Sequence, residues 1–517
     1  MRPLAFLLCS ATLFAADYDV LIRNARVVDG AGNPWMRADV AIKEARIAAV
    51  GRIPAAATAT RVIDARERVL APGFIDVHTH VEDDIEKNPR AGNFLLDGVT
   101  TVITGNCGSS ELNLSAWFDR LNRVGLGINV GSLVGHNSVR REVMGAADRQ
   151  ATPAEIARMQ ALVDRAMRDG AMGFSTGLEY VPGIYSNTDE VIALAKSAAA
   201  HGGVYASHMR NEGTHEIEAI DEAVNVGRQA GMPVEISHLK IDRRVVWGAS
   251  DQSLALIEKY RREGVDVAVD QYPYDRAATN LGIRLPGWAL AGGKLKERLS
   301  DPATRRKISQ EMKQIVAEMG EPDYGFATVA RFAPMPAYEG KSISEVNALK
   351  GRAPGVENEI ETILDLMNAG GASMIYRLMA DIDIERIMRY PFTAIASDGS
   401  VTELGQGSPH PRSYGTNARV LAEYVRSRGV LTLEDAIRRM TSLPARTFGL
   451  RDRGLVRDGM AADLVLFDPA RVRDRSTFTQ PHQYSEGFDF VWVNGQLVVD
   501  NGKLTAARPG QPLRRRP

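Results

Sequence analysis

Phe74-Ile75-Asp76-Val77-His78-Thr79-His80 is the run whose reading decides the fold. It is apolar at its start, follows the turn signal Ala71-Pro72-Gly73, and ends in two histidines at i and i+2. Side chains alternate along a strand, so both imidazoles lie on one face. Seven more apolar, β-rich runs follow, at residues 100–107, 128–137, 171–178, 203–209, 233–240, 266–274 and 392–399. Helix-like stretches separate them, as at 152–169 and 187–201. This βα alternation predicts an α/β protein built on a closed parallel (β/α)8 barrel of the TIM type.

Outside the barrel the texture changes. Residues 17–72 alternate apolar and polar positions in short runs broken by Asp29-Gly30, and the same pattern returns over 451–505, where Asn494-Gly495 marks a hairpin turn. Neither piece can complete a sheet alone, so the two are read as one small β-sandwich domain made from both chain ends. The barrel is assigned to 73–450, with an insertion at about 285–385 before the last strand, carrying a charged helix near 302–318. An insertion at that end of a barrel is expected to cover the site. Residues 506–517 are read as a tail.

Of 517 residues, 44% are hydrophobic, and 63 Lys plus Arg face 64 Asp plus Glu, which excludes a disordered chain and makes nucleic acid an unexpected partner. The dense basic run Arg514-Arg515-Arg516 reads as a solvated end. Residues 1–16 have the grammar of a signal peptide: Arg2, an apolar run too short to span a bilayer, then Ala15 and Ala16. The expectation is an exported protein, periplasmic or extracellular, beginning near Asp17 and not membrane-bound after signal removal. Leu7 and Leu8 before Cys9 argue against a lipid anchor. Cys107 is then the single mature cysteine, so no internal disulfide forms, and its thiol is either buried and inert or held by a metal as thiolate.

Metal-binding residue types gather at the ends of the runs, where a barrel places its active site. His78 and His80 end the first, Cys107 the second, His208 the fifth, His238 the sixth and Asp398 the eighth. Cysteine and histidine together suit zinc, which takes sulfur and nitrogen in a tetrahedral shell and leaves one position for water. A carboxylate near that water can act as general base and then acid, and Asp398 is the candidate. Other polar residues have plainer readings. His136 makes a hydrogen bond behind the ligands, His201 caps a helix, and His215 is solvated. His482 sits in a loop, Arg210 and Glu212 brace His208, and His410 with Arg412 line a loop over the site.

With these residues in view, the runs Pro72 to His80 and Gly459-Met460-Ala461-Ala462-Asp463-Leu464-Val465 resemble the amidohydrolase superfamily. Finer motifs resemble its D-aminoacylase family, the N-acyl-D-amino-acid deacylases. They are Gly105-Asn106-Cys107-Gly108, Ser175-Thr176-Gly177-Leu178-Glu179-Tyr180, Ser207-His208-Met209-Arg210-Asn211-Glu212, Ile236-Ser237-His238-Leu239-Lys240 and His410-Pro411-Arg412-Ser413-Tyr414-Gly415. The resemblance implies a tight zinc at Cys107, His208 and His238, and a second, weaker metal position at His78, His80 and Asp398, with Asp398 as catalytic acid/base. It also implies that Lys240, Tyr180, Arg284 and a tyrosine of Tyr272-Pro273-Tyr274 hold the carboxylate of a small N-acylated amino acid. Acyl group, side chain and oligomeric state are not legible.

Two other readings were weighed. A cyclic-amide hydrolase of the hydantoinase or dihydroorotase kind shares the barrel, but those enzymes generally bridge two metals with a carboxylated lysine from a middle strand, and this chain has no lysine between Lys87 and Lys196. An inactive binding or scaffold homologue would be expected to have lost ligands that are all present here.

Overall fold

The computed structural model describes residues 16–515. Nearly all of the predicted signal segment, with Cys9, lies outside the described residues, as does Arg516. The eight barrel strands are β1 (Phe74–Asp76), β2 (Val99–Thr104), β3 (Asn129–Ser132, continued by Val134–Gly135), β4 (Gly173–Gly177), β5 (Val204–His208), β6 (Val234–Ile236), β7 (Val267–Gln271) and β8 (Thr393–Ile395). Parallel ladders join β1 to β3, and the continuation of β3 to β8. The ring closes beyond the strand ends: the Asp398 N–H donates to the His78 carbonyl at 2.8 Å, and the His80 N–H to the Gly399 carbonyl at 2.8 Å. This closure ties the two-histidine segment directly to the segment carrying Asp398.

Each ladder is shorter than its apolar run because the last residues leave the sheet to build the mouth. The third run was read as strand to residue 137, yet a helix (His136–Met144) begins at His136. Helices between strands follow ordinary rules. Pro153–Arg168 starts with a capping box between Thr152 and Glu155, has proline in its first turn, and buries Met159, Val163, Ala166 and Met167 on one stripe.

The β-domain is a single hydrogen-bonded sheet of nine strands from both chain parts. Its seam is the antiparallel pair of Val69–Pro72 with Leu464–Phe467. Ile22, Val40 and Ile42 from one part pack with Leu464, Leu466 and Trp492 from the other in a shared core, while Leu21, Ala41 and Ile53 form a smaller cluster within the first part alone. Asn494 and Gly495 both take positive φ, 46° and 79°, as a two-residue hairpin turn of the favoured kind requires.

The insertion between β7 and β8 opens with strand Arg276–Asn280, earlier than the expected 285. That strand pairs with Ser373–Arg377, which pairs with Ala327–Arg331, giving a three-stranded antiparallel sheet that the sequence reading did not include. The tail is anchored to the barrel, although Arg508, Gln511 and Arg514 are exposed. Leu513, 9% exposed, enters the apolar floor of the barrel with Ile75, Val77, Met172 and Phe448. Its N–H donates to the Val130 carbonyl at 2.8 Å, and the Arg515 N–H to the Gly170 carbonyl at 2.9 Å. Arg514 stacks on Phe118 at 4.9 Å. Burial of Leu513 at the apolar floor holds this segment against the barrel while Arg514 stays exposed. No helix among the described residues is long and apolar enough to cross a membrane.

Candidate active site

The polar ends of β1, β2, β5, β6 and β8 meet at the mouth. Cys107 Sγ lies 3.4 Å from His78 Nε2, 3.5 Å from His238 Nε2 and 3.8 Å from His208 Nδ1. Zinc–sulfur bonds of about 2.3 Å and zinc–nitrogen bonds of about 2.0–2.1 Å, set tetrahedrally, place sulfur and nitrogen about 3.5 Å apart. Cys107, His208 and His238 fit one such ion. His208 Nδ1 and His238 Nε2, 2.9 Å apart, are closer than the roughly 3.3 Å of a tetrahedral pair and would open slightly around it. His78, His80 and Cys107 form a second donor group, and His78, His238 and Asp398 a third, both overlapping the first.

Three of these side chains reach the mouth from left-handed backbone: φ is 51° at Cys107, 37° at His238 and 51° at Asp398. Such a conformation costs a non-glycine residue on the order of 1–3 kcal/mol and persists where surrounding structure imposes it. The packing leaves no slack. A Cβ on Gly177 would lie 2.2 Å from the Cys107 carbonyl oxygen.

Burial, then the Asp398 and Glu212 carboxylates, push the Cys107 thiol well above its ordinary range. Thiolate there calls for a cation at the sulfur. Burial, then Lys240, His208 and His78, keep His238 well below the usual histidine range, as the neutral imidazole a metal needs. The outward nitrogens face carboxylates: His78 Nδ1 is 3.0 Å from Asp270 Oδ2, His208 Nε2 is 3.2 Å from Glu179 Oε2, and His238 Nδ1 is 3.0 Å from Glu212 Oε1. Carboxylates in that position orient metal-binding imidazoles.

Asp398 presents Oδ1 to His80 Nε2 at 3.1 Å and to His78 Nε2 at 3.7 Å, and Oδ2 to Arg412 Nη1 at 2.9 Å. Burial acts to raise its pKa, but Arg412, the His80 hydrogen bond and the nearby histidines outweigh it and hold the carboxyl well below the usual carboxylate range. It is therefore ionised at neutral pH.

Beside the donors is a pocket lined by Tyr180, Tyr272, Thr279, Ile283, Arg284 and Leu378, among others. Arg284 is 2% exposed, stacks 4.5 Å over the Tyr376 ring and meets Met319 Sδ at 3.0 Å, while its Nε has no hydrogen-bond partner. No carboxylate pairs with it among the described residues. A buried cation in that state is costly unless something brings an anion. The Tyr272 hydroxyl is likewise buried and unpartnered. Tyr180 lies 4.5 Å from the His208 ring, its hydroxyl accepting from Thr279 Oγ1 at 3.1 Å.

Other expectations need correction. Lys240 lines the same pocket as Arg284 and Tyr272, but its Nζ is already engaged, donating to Glu212 Oε2 at 2.7 Å and lying 2.8 Å from His238 Nδ1. Tyr274 packs against His410 and Phe478, with Arg419 over its ring, and is absent from the pocket lining. Arg210 pairs with Glu222 at 2.8 Å instead of bracing His208. His136 bonds Glu190 at 2.8 Å, away from the donors. His201 bonds Asp164. His215 is exposed and His482 lies in a loop, as read, the latter joining Tyr414 to the Gly407 carbonyl. The sequence reading missed the Arg412 contact with Asp398 and the Glu179 contact with His208. Both residues stood inside quoted motifs, but nothing local tells which atom they reach.

A closed βα barrel whose strand ends bring four histidines, a cysteine and an aspartate to one mouth defines a metal-dependent hydrolase of the amidohydrolase type. Comparison with known proteins narrows this. Residues 61–499 match the model of the Amidohydrolase family. The D-aminoacylase of Alcaligenes xylosoxydans xylosoxydans is 34% identical over 96% of this chain and 98% of its own length. The N-acyl-D-aspartate deacylase of the same organism is 36% identical over 96% and 95%. The crystal structure of N-acyl-D-glutamate deacylase from Bordetella bronchiseptica, complexed with zinc and a phosphonate mimic of the tetrahedral intermediate, superposes with a TM-score of 0.83 at 33% identity, covering 96% of this chain and 99% of that one. The chain belongs to the amidohydrolase family, in its D-aminoacylase branch.

Proposed function

We propose that this protein hydrolyses the amide bond of N-acyl-D-amino acids, giving a carboxylic acid and a free D-amino acid. The observation that carries the reading is one pocket lined both by His208, His238 and Asp398, with Cys107 beside the two histidines, and by a buried guanidinium, Arg284, that has no ion-pair partner among the described residues. The D configuration is taken from the relatives.

Cys107, His208 and His238 would hold a zinc ion, which would supply Lewis acidity and ease the deprotonation of water. Asp398 takes the proton from the attacking water at Oδ1 and returns it to the departing nitrogen, a role typically worth about 100- to 10,000-fold. Arg412 fixes Oδ2, so Asp398 stays ionised and aimed. Arg284 and the Tyr272 hydroxyl bind the substrate carboxylate, with Tyr180 beside the reacting carbonyl. His78, His80 and Asp398, whose carboxylate lies 3.7 Å and 3.1 Å from the two imidazoles, would hold a weaker second metal. The unpaired Arg284 also favours a substrate with a free carboxylate over a neutral cyclic amide. Export of the chain is proposed on the pattern of residues 1–16 alone.

The test is free-amine release from matched N-acetyl-D- and N-acetyl-L-amino acids, with zinc measured on the same preparation. Release from D substrates by a zinc-bearing protein supports the reading. Release from neither series overturns it, and equal release from both removes the stereochemical part.

A further inference from the structure

The strand Arg276–Asn280 that opens the insertion is an edge of its three-stranded sheet. Its ladder to Ser373–Arg377 uses alternate residues, a phase fixed by the Leu281 N–H donating to the Ala372 carbonyl at 2.9 Å and the Leu378 N–H to the Asp275 carbonyl at 3.2 Å. Residues 276, 278 and 280 therefore turn their backbone groups to the free edge. There His410 Nε2 donates to the Arg276 carbonyl at 2.9 Å, and Arg412 Nη2 to the Ala278 carbonyl at 3.2 Å. The Ala278 and Asn280 N–H groups on that edge donate to no group among the described residues. Arg412 also meets Asp398 Oδ2 at 2.9 Å, which ties the edge strand to the catalytic carboxylate.

The strand borders a cavity of about 460 Å³ that also touches His80 and Asp398. Hydrogen-bonding side chains, among them Ser373, Ser400, Thr402, Gln406 and Ser408, line much of it, and its charges come in both signs, Lys87 and Arg331 against Asp84 and Glu403. The pocket holding Arg284 and this cavity share Ala278, Thr279 and Asp398 as walls. With the substrate carboxylate at Arg284, the acyl end leads past Asp398 into the cavity. A second cavity adjoins the pocket at Glu179, Tyr180 and Ile283, the last next to Arg284, and so lies on the amino-acid side. Cavities of about 300–1,000 Å³ hold whole small ligands, and an acetyl group, with one methyl beyond its carbonyl, leaves this one almost empty. A hydrocarbon tail would take water from the hydroxyls and the two N–H groups and return no hydrogen bond. A peptide offers carbonyls at the spacing of an added strand. We infer that the cavity is an acyl subsite for a short peptide, so that the protein also releases the terminal D-amino acid from peptides ending in a D-residue. In that step the oxygen of water joins the acyl carbon, the bond from that carbon to nitrogen breaks, and the proton goes to the departing amine.

The inference rests on the deacylase reading, so its test compares acyl groups on the same panel of D-amino acids. The probes are the N-acetyl, N-octanoyl and N-(acetylglycylglycyl) derivatives, with the free D-amino acid measured by chromatography. Octanoyl matches the peptide in chain length and lacks its amides. The peptide should exceed acetyl in kcat/KM by about 10- to 100-fold, the effect of two backbone hydrogen bonds, and octanoyl should exceed it by no more than about threefold. Asn280→Pro deletes one edge N–H at a position whose φ of −77° already suits proline. It should lower the peptide-to-acetyl ratio by about 3- to 10-fold, while Asn280→Ala, which keeps the N–H, should hold the ratio within about twofold. A peptide no better than acetyl, an octanoyl gain equal to that of the peptide, an unchanged ratio in Asn280→Pro, or equal losses in the two variants overturns the peptide subsite. Release from none of the three derivatives overturns the deacylase reading beneath it.

Discussion

Replacing Arg284 by methionine separates two roles that a buried arginine can have. Its guanidinium is 2% exposed and has no carboxylate partner among the described residues, so it contributes no internal ion pair to lose. What it loses is stacking on Tyr376 at 4.5 Å, worth about 2 kcal/mol at most when desolvated. Against this stands relief from holding an unpaired cation out of water, which is of similar or larger size. The melting temperature should therefore shift by only a few degrees, in either direction. Activity should behave differently. A charge-assisted hydrogen bond to a substrate carboxylate contributes about 1.5–3 kcal/mol. Its loss should cut kcat/KM by about 10- to 150-fold, mainly through KM. The control is the carboxamide of the same N-acetyl-D-amino acid, which should be a poor substrate for wild type and lose little more in the variant. The assay is amine release under pseudo-first-order conditions for both compounds. Equal fold losses on acid and amide would refute the carboxylate role and leave Arg284 as part of the scaffold.

Cys107→Ala should remove most of the bound zinc and nearly all activity, by elemental analysis and amine release on one preparation; full metal content with normal turnover would dismiss the thiolate as a ligand. Asp398→Asn should retain zinc while kcat falls by about 100- to 10,000-fold, and an unchanged kcat would move the proton transfer to another group. Burial pushes the Glu216 carboxyl up to about 8, above the roughly 4.3 of an unfolded chain. Its contribution to stability is thus complete below about pH 4.3 and is lost as pH rises through about 8. Glu216→Gln should flatten that decline in denaturant titrations between pH 5 and 9, and an identical slope would mean the carboxyl is already ionised in the folded protein.

The barrel and the metal donors were legible because each rests on local grammar. A strand that ends in His78 and His80, or in Asp398, announces both its direction and its face within a few residues. The partners of those residues were not legible. Arg412 is separated from Asp398 by a loop, and only the closed ring shows that its guanidinium meets Oδ2. Lys240 sits where the family resemblance placed it, but its charge is engaged by Glu212, from the end of a neighbouring strand. Periodicity also assigns side chains to faces on the assumption of regular backbone, and Cys107, His238 and Asp398 depart from that by adopting positive φ. The tail shows the same limit from the other side. Three arginines dominate its composition, while a single leucine decides where it goes.

The way Leu513 and the strands of 464–504 are used has a consequence for the order of assembly. On the ribosome the first part of the β-domain and then all eight barrel strands are made before the floor residue and the second part of the β-domain exist. Until residues 464–513 are made, the core around Ile22, Val40 and Ile42 lacks its cover of Leu464, Leu466 and Trp492, and the underside of the barrel lacks Leu513. The nascent chain thus passes through a stage with all eight barrel strands made and two incompletely covered apolar surfaces, the kind of partly assembled state in which larger chains are prone to misassociate. Truncations within the final segment should therefore show as aggregation during synthesis, before any loss is seen in the chemistry at the opposite end of the barrel.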